Sequence, residues 1–112
     1  MSDQFSTVYV LECEDNAFYV GYSRNLNLRL MEHFTGIFTA KWCQLHKPIG
    51  LKEVVLGGKD KENEVVLDYM WKYGWENVRG GSWSKVEYKS CPKRIEQALG
   101  IHGAIKNILI DD

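Results

Sequence analysis

Tyr9, Tyr19, Arg29 and His33 are the residues whose types and spacing stand out for chemistry. The tyrosines flank a polar turn, and the arginine and histidine follow four residues apart, on one side of any helix that carries them. A guanidinium offers a planar fork that matches phosphate or carboxylate oxygens. Phenol and imidazole groups can pass a proton when held within hydrogen-bond reach. Three acids come later, Glu62, Glu64 and Asp68, and Glu64 and Asp68 share a helix face. A hard divalent cation takes oxygen ligands of this kind.

These groups need elements to position them. Val8, Val10, Phe18 and Val20 alternate with other residues around the turn Glu14-Asp15-Asn16, which predicts a hairpin of about 7–12 and 17–22. Only the right register brings Tyr9 and Tyr19 together. Gly21-Tyr22-Ser23 leads into a helix of about 25–34, with Ser23 or Asn25 as its cap. Leu26, Leu30 and Phe34 form the stripe expected to face the sheet. Thr35-Gly36 ends the helix, and 38–46 is an aromatic connector of one or two helical turns. A third strand is predicted over 49–56, a turn at 57–60 and a helix from Lys61 to about Tyr73, ended by Gly74. Residues 75–83 read as a Gly-rich loop. Pro92 opens one or two further helices that pad the core or make a dimer contact. Residues 1–6 read as a frayed polar end.

The ordered set Val8-Tyr9-Val10, Tyr19-Val20-Gly21, Ser23, Asn25, Arg29 and His33 resembles the GIY-YIG nucleases. Ala40-Lys41-Trp42, Lys47-Pro48-Ile49 and the ending Tyr73-Gly74 … Asn77-Val78-Arg79-Gly80-Gly81 extend the resemblance over about residues 7–83. The two valines depart mildly from the family tripeptides and suit strand positions. The resemblance implies an α+β fold: a three-stranded, mostly antiparallel sheet flanked by helices. Residues 1–83 would be the catalytic domain and 84–112 a helical extension of that domain.

The resemblance also implies a metal-dependent endonuclease that hydrolyses phosphodiester bonds, with DNA ahead of RNA as substrate. Tyr9 would be the general base, Tyr19 would position phosphate or share the proton relay, Arg29 would bind the scissile phosphate, and His33 would donate to phosphate or shuttle the proton. Mg2+ (or Mn2+) would be held by one carboxylate, Glu64, with Asp68 as the alternative. Glu62 and Glu64 also read as first-turn acids favoured by the helix dipole. Substrate contacts would come from Gly21, through close backbone approach, and from Ser23, Arg24, Lys41, Asn77 and Arg79. Asn77 also reads as a loop-fixing hydrogen bonder.

Composition bounds these readings. A chain of 112 residues is one small domain. The net charge of −1 argues against a strong nonspecific DNA binder, because phosphate affinity comes mainly from lysine and arginine. A local basic face of Arg24, Arg29, Lys41, Lys47 and Lys72 remains compatible with that balance. No apolar run is long enough to cross a bilayer, and residues 1–4 lack the pattern of a signal peptide. Cys13, Cys43 and Cys91 are scattered and odd in number, as reduced thiols of a cytoplasmic protein would be. Cys43-x-x-His46 has a ligand-like spacing, but a zinc site needs more ligands than lie near it. No separate DNA-reading element is visible, so specificity would come from loops, a homodimer or a partner protein. The contrasting reading is a nucleic-acid-binding or protein-interaction module that keeps this fold without cleavage.

Overall fold

A computed structural model describes residues 6–110 of the chain, with side chains to residue 108. The expectation for residues 1–5 lies outside the described residues. The order is β1 (Thr7–Cys13), β2 (Ala17–Ser23), α1 (Leu26–Thr35), α2 (Lys41–Leu45), β3 (Pro48–Leu56), α3 (Lys59–Tyr73), β4 (Val78–Gly80) and α4 (Lys93–Ile110). Single 3-10 turns precede β2 and β4.

Four strands form one mixed sheet in the order β3-β1-β2-β4. β1 pairs antiparallel with β2 and β3, while β4 runs parallel to β2. The expected three-stranded sheet is therefore corrected to four. β4 is only three residues long, too short to show alternation, and Gly80 in it reads as a loop residue. That glycine is required: its φ is 148°, and a Cβ there would lie 2.8 Å from the Val20 carbonyl carbon.

β1 is central and buried on both faces, so Val8, Tyr9, Val10 and Leu11 are all inaccessible. Val8, Val10 and Val20 face α3 and α4 and pack with Val65, Val66, Met70 and Ile95. Tyr9, Leu11, Cys13 and Ala17 face the other way and pack with Trp42 and Cys43 of α2 and with Leu26 and Leu30 of α1. The sheet is thus the middle of three layers. Asp15 and Asn16 adopt left-handed backbone in the hairpin turn, a conformation these residue types tolerate.

α1 departs from the expected stripe. Leu26 and Leu30 pack on the sheet, but Phe34 is 39% exposed and His33 takes the buried position. α4 is a single helix that packs on α3, and a Cβ on Gly103 would lie 3.0 Å from the Trp71 ring. Among the described residues, no helix is long and apolar enough to cross a membrane.

Candidate functional site

β1 starts, and β2, β3 and β4 end, at the same edge of the sheet, where α1 and α3 also begin. The backbone order thereby gathers side chains from distant parts of the chain. Tyr9 and Tyr19 point to the α1 face, and both rings lie within 5.5 Å of the His33 ring, centroid to centroid. α1 is set by a double cap: Ser23 Oγ accepts from the Asn25 amide at 2.9 Å and Asn25 Oδ1 from the Leu28 amide at 3.2 Å. Ser23, expected at the substrate, is thus engaged in this cap.

His33 is 1% exposed, and both its ring nitrogens are used. Nε2 shares a 2.7 Å hydrogen bond with the Tyr9 hydroxyl, and Nδ1 shares one of 2.7 Å with Thr39 Oγ1. Burial pushes the Tyr9 phenol well above its ordinary pKa, and Tyr19 adds to this, while the Arg29 guanidinium pulls the other way. Tyr19 is raised as well, chiefly by burial and then by Cys43, against the pull of Arg29. Tyr9 therefore rests protonated, within hydrogen-bond reach of His33 Nε2. Arg29 donates from Nη1 to Glu32 Oε1 and to the Phe38 carbonyl, both at 2.8 Å, and is half-buried next to the Tyr9 hydroxyl. Although burial opposes its charge, Glu32 holds its pKa above the ordinary value.

Gly21 is the cross-strand partner of Tyr9. A Cβ on it would lie 2.6 Å from Tyr9 Cζ. Gly21, expected to let substrate approach the backbone closely, makes room for the phenol.

The acids separate clearly. Glu64 is exposed and pairs with Lys61 at 2.9 Å. Asp68 pairs with His102 and Lys106 of α4, each at 2.8 Å. Neither is brought to the tyrosines. Glu62, in the first turn of α3, is 9% exposed, accepts from the Gly81 amide and contributes to the electrostatics of Tyr19. Burial raises its pKa, opposed by that amide and by Lys59. Asn63 beside it fixes the loop, accepting from the Ser82 amide at 3.0 Å. A buried carboxylate that accepts one backbone amide, at the edge where the tyrosines converge, suits a magnesium ion that keeps most of its waters.

Two expected substrate contacts are occupied elsewhere. Arg79 is buried: Nε donates to Lys85 O at 2.7 Å, Nη1 to Trp75 O at 2.7 Å and Val78 O at 2.8 Å, and Nη2 to Val86 O at 3.2 Å. Its guanidinium carbon lies 4.6 Å from the Trp42 ring and 4.8 Å from Tyr88. It ties the 85–88 segment to the sheet. Asn77 donates to Tyr73 O at 2.9 Å and closes the end of α3. Lys41 is exposed at the start of α2, and Arg24 is exposed just before α1. Lys72 lies on α3, the far side of the sheet from Tyr9.

Thr39 joins the candidate site without having been singled out in the sequence, and Glu62, one of the three acids noted there, was not the one favoured for the metal. Thr39 gave no signal, because its role depends on the fold of the connector onto α1. Glu62 was visible as a first-turn acid but not separable from Glu64. His46 pairs with Asp15 at 3.1 Å, and Cys43 lies instead beside Cys13 and His33. Among the described residues, no group of three or more His, Cys, Asp or Glu side chains is arranged to hold a metal, and the three cysteines are free.

The GIY-YIG catalytic domain model matches residues 5–97. A UPF0213 protein of Neisseria meningitidis serogroup C is 44% identical over 55 residues, covering 49% of this chain and 58% of that protein. A UPF0213 protein of Bacillus cereus is 33% identical over 64 residues, covering 57% of this chain and 65% of that one. One of Syntrophus aciditrophicus is 41% identical over 44 residues, 39% of this chain and 51% of its own length. The chain therefore spans between about half and two thirds of the length of these curated relatives. No solved structure gives a significant match.

Proposed function

The chain belongs to the GIY-YIG catalytic domain family, and on that premise we propose that it is a metal-dependent endonuclease that hydrolyses phosphodiester bonds of nucleic acid, DNA ahead of RNA. The observation that carries this reading is the hydrogen-bonded series Tyr9, His33, Thr39 beside the Arg29 guanidinium.

The series supports a relay. A water attacking phosphorus loses its proton to the Tyr9 oxygen while Tyr9 passes its own proton to His33 Nε2. The phenol never has to rest as a buried phenolate, which its raised pKa opposes. Thr39 orients the ring by its bond at Nδ1 and is a positioning residue. Arg29 presents its remaining donors to the phosphate oxygens and stabilises the charge that grows there. Tyr19 lies against His33 and closes the other side of the ring.

We assign the metal ligand to Glu62 in place of Glu64 or Asp68, because it is the acid buried at this edge. A bound Mg2+ or Mn2+ would supply Lewis-acid stabilisation of the phosphate and leaving oxygen. We also read residues 84–112 as an extension of the same domain, since Ile95 enters the core between the sheet and α3.

The test is Mg2+- and Mn2+-dependent cleavage of DNA flaps, junctions, duplex and single strands, and of RNA, beside Tyr9→Phe. Loss of general base assistance lowers the rate by about 10²- to 10⁴-fold. A folded wild type that cuts nothing above the Tyr9→Phe control sinks the reading and favours a binding module of the same fold.

A further inference from the structure

The supports of Arg29 and His33 converge on two adjacent residues. The Phe38 carbonyl accepts from Arg29 Nη1 at 2.8 Å, and Thr39 Oγ1 bonds His33 Nδ1 at 2.7 Å. Thr39 is buried, whereas the Phe38 side chain is 81% exposed. Phe38 also has φ 60°, in the left-handed region that a bulky side chain disfavours. Ile37 beside it is 59% exposed. Folding gains nothing from this choice: an exposed ring buries no apolar surface, and glycine would suit the backbone better.

What such a ring can do follows from its place. Its own carbonyl accepts from the guanidinium that would hold phosphate in the nuclease reading, so the ring sits on the residue next to that grip. Lys41, three residues on and exposed at the start of α2, adds a positive charge close by in the chain. A nucleic-acid strand offers phosphate and a flat apolar base within one nucleotide, and aromatic side chains stack on any base through its π-face. A base inside an intact duplex already has both faces covered.

Building on the nuclease reading, we propose that Phe38 stacks on an unpaired base next to the phosphate gripped by Arg29. The substrate class is then nucleic acid with at least one unstacked nucleotide beside the cut, such as a flap, gap or single strand. Base and phosphate of one nucleotide are held by one strained loop, so a wrong base position also misplaces Arg29 and, through Thr39, His33.

The experiment uses a single-stranded oligonucleotide carrying 2-aminopurine, with Ca2+ in place of Mg2+ so that binding is read without cleavage. Phe38→Leu keeps an apolar side chain without a ring, and Phe38→Trp restores stacking. Wild type and Phe38→Trp are expected to quench the probe on binding. Phe38→Leu should lose the quench and bind about 10-fold more weakly, within the range of one lost stacking contact. Under Mg2+, cleavage of a flap should fall in Phe38→Leu toward that of paired duplex.

Cleavage that needs Tyr9 but is indifferent to Phe38→Leu overturns the stacking alone and leaves the nuclease standing. Equal cutting of fully paired duplex and flap does the same. A wild type that neither binds nor cuts overturns both. A wild-type dimer in sedimentation that Phe38→Leu dissociates assigns the ring to a second copy of the chain and overturns the proposal.

Discussion

Gly21 and Tyr9 face each other across the β1–β2 ladder, and the Tyr9 phenol fills the space that a side chain on Gly21 would need. The glycine is fixed by the ring, and the ring is fixed by its 2.7 Å bond to His33. A single methyl group at position 21 should therefore act on a residue of the neighbouring strand.

Gly21→Ala is expected to destabilise the fold by about 1–3 kcal/mol, the usual cost of overpacking a dense core. It should also push the phenol off His33, so that cleavage falls to the level of Tyr9→Phe. Urea unfolding and the cleavage assay check both parts. Cleavage at wild-type rate in Gly21→Ala would show that the ring has room to move without losing its function.

Glu62 gives a prediction in which stability and activity move in opposite directions. Burial raises its pKa in the folded chain. A raised carboxyl pKa means the folded state holds the proton more tightly than the unfolded state. Its contribution is therefore most favourable below the unfolded value of about 4.3 and is lost as pH rises through the folded one. At neutral pH the charge opposes folding, so Glu62→Gln should be the more stable protein there. That advantage should shrink as pH falls below the unfolded value. The same variant should lose metal-dependent cleavage and the rise in Tm that excess Mg2+ is expected to give the wild type by binding the folded state. Glu64→Gln, changing an exposed acid paired with Lys61, should keep both. Cleavage lost in Glu64→Gln and kept in Glu62→Gln would return the metal to Glu64.

Arg79 tests a side chain consumed by structure. Arg79→Ala leaves the carbonyls of Trp75, Lys85 and Val86 without this donor and opens the space between Trp42 and Tyr88. The expected cost is roughly 3–5 kcal/mol, as for other buried charged networks that lose one member. Arg79→Lys should recover little, because an ammonium cannot reach several carbonyls from one plane. Thermal unfolding reads this directly. If Arg79→Lys folds like wild type and only raises KM, the arginine is a substrate contact after all.

The sequence by itself determined the hairpin, α1 and the pairing of tyrosines with an arginine and a histidine. Those features are local. Strand alternation, a polar turn and a four-residue helical spacing are written over a few residues each, and the resemblance of that ordered set to the GIY-YIG nucleases singled out Tyr9, Tyr19, Arg29 and His33 without coordinates. The tertiary structure decided what depends on how elements meet. Glu62 and Glu64 are two residues apart, which turns them by about 200° around a helix. Only the seating of α3 on the sheet separates the buried acid from the one that pairs with Lys61. β4 exists because residues 78–80 find β2 alongside, not because their composition asks for a strand. Gly21 makes room for Tyr9, Thr39 holds His33, and Arg79 is spent on carbonyls, each through a partner distant in sequence. Spacing along a chain fixes which groups share a helix or strand, whereas burial and hydrogen-bond partners are fixed by packing between elements, and there the chemistry of this site was assigned.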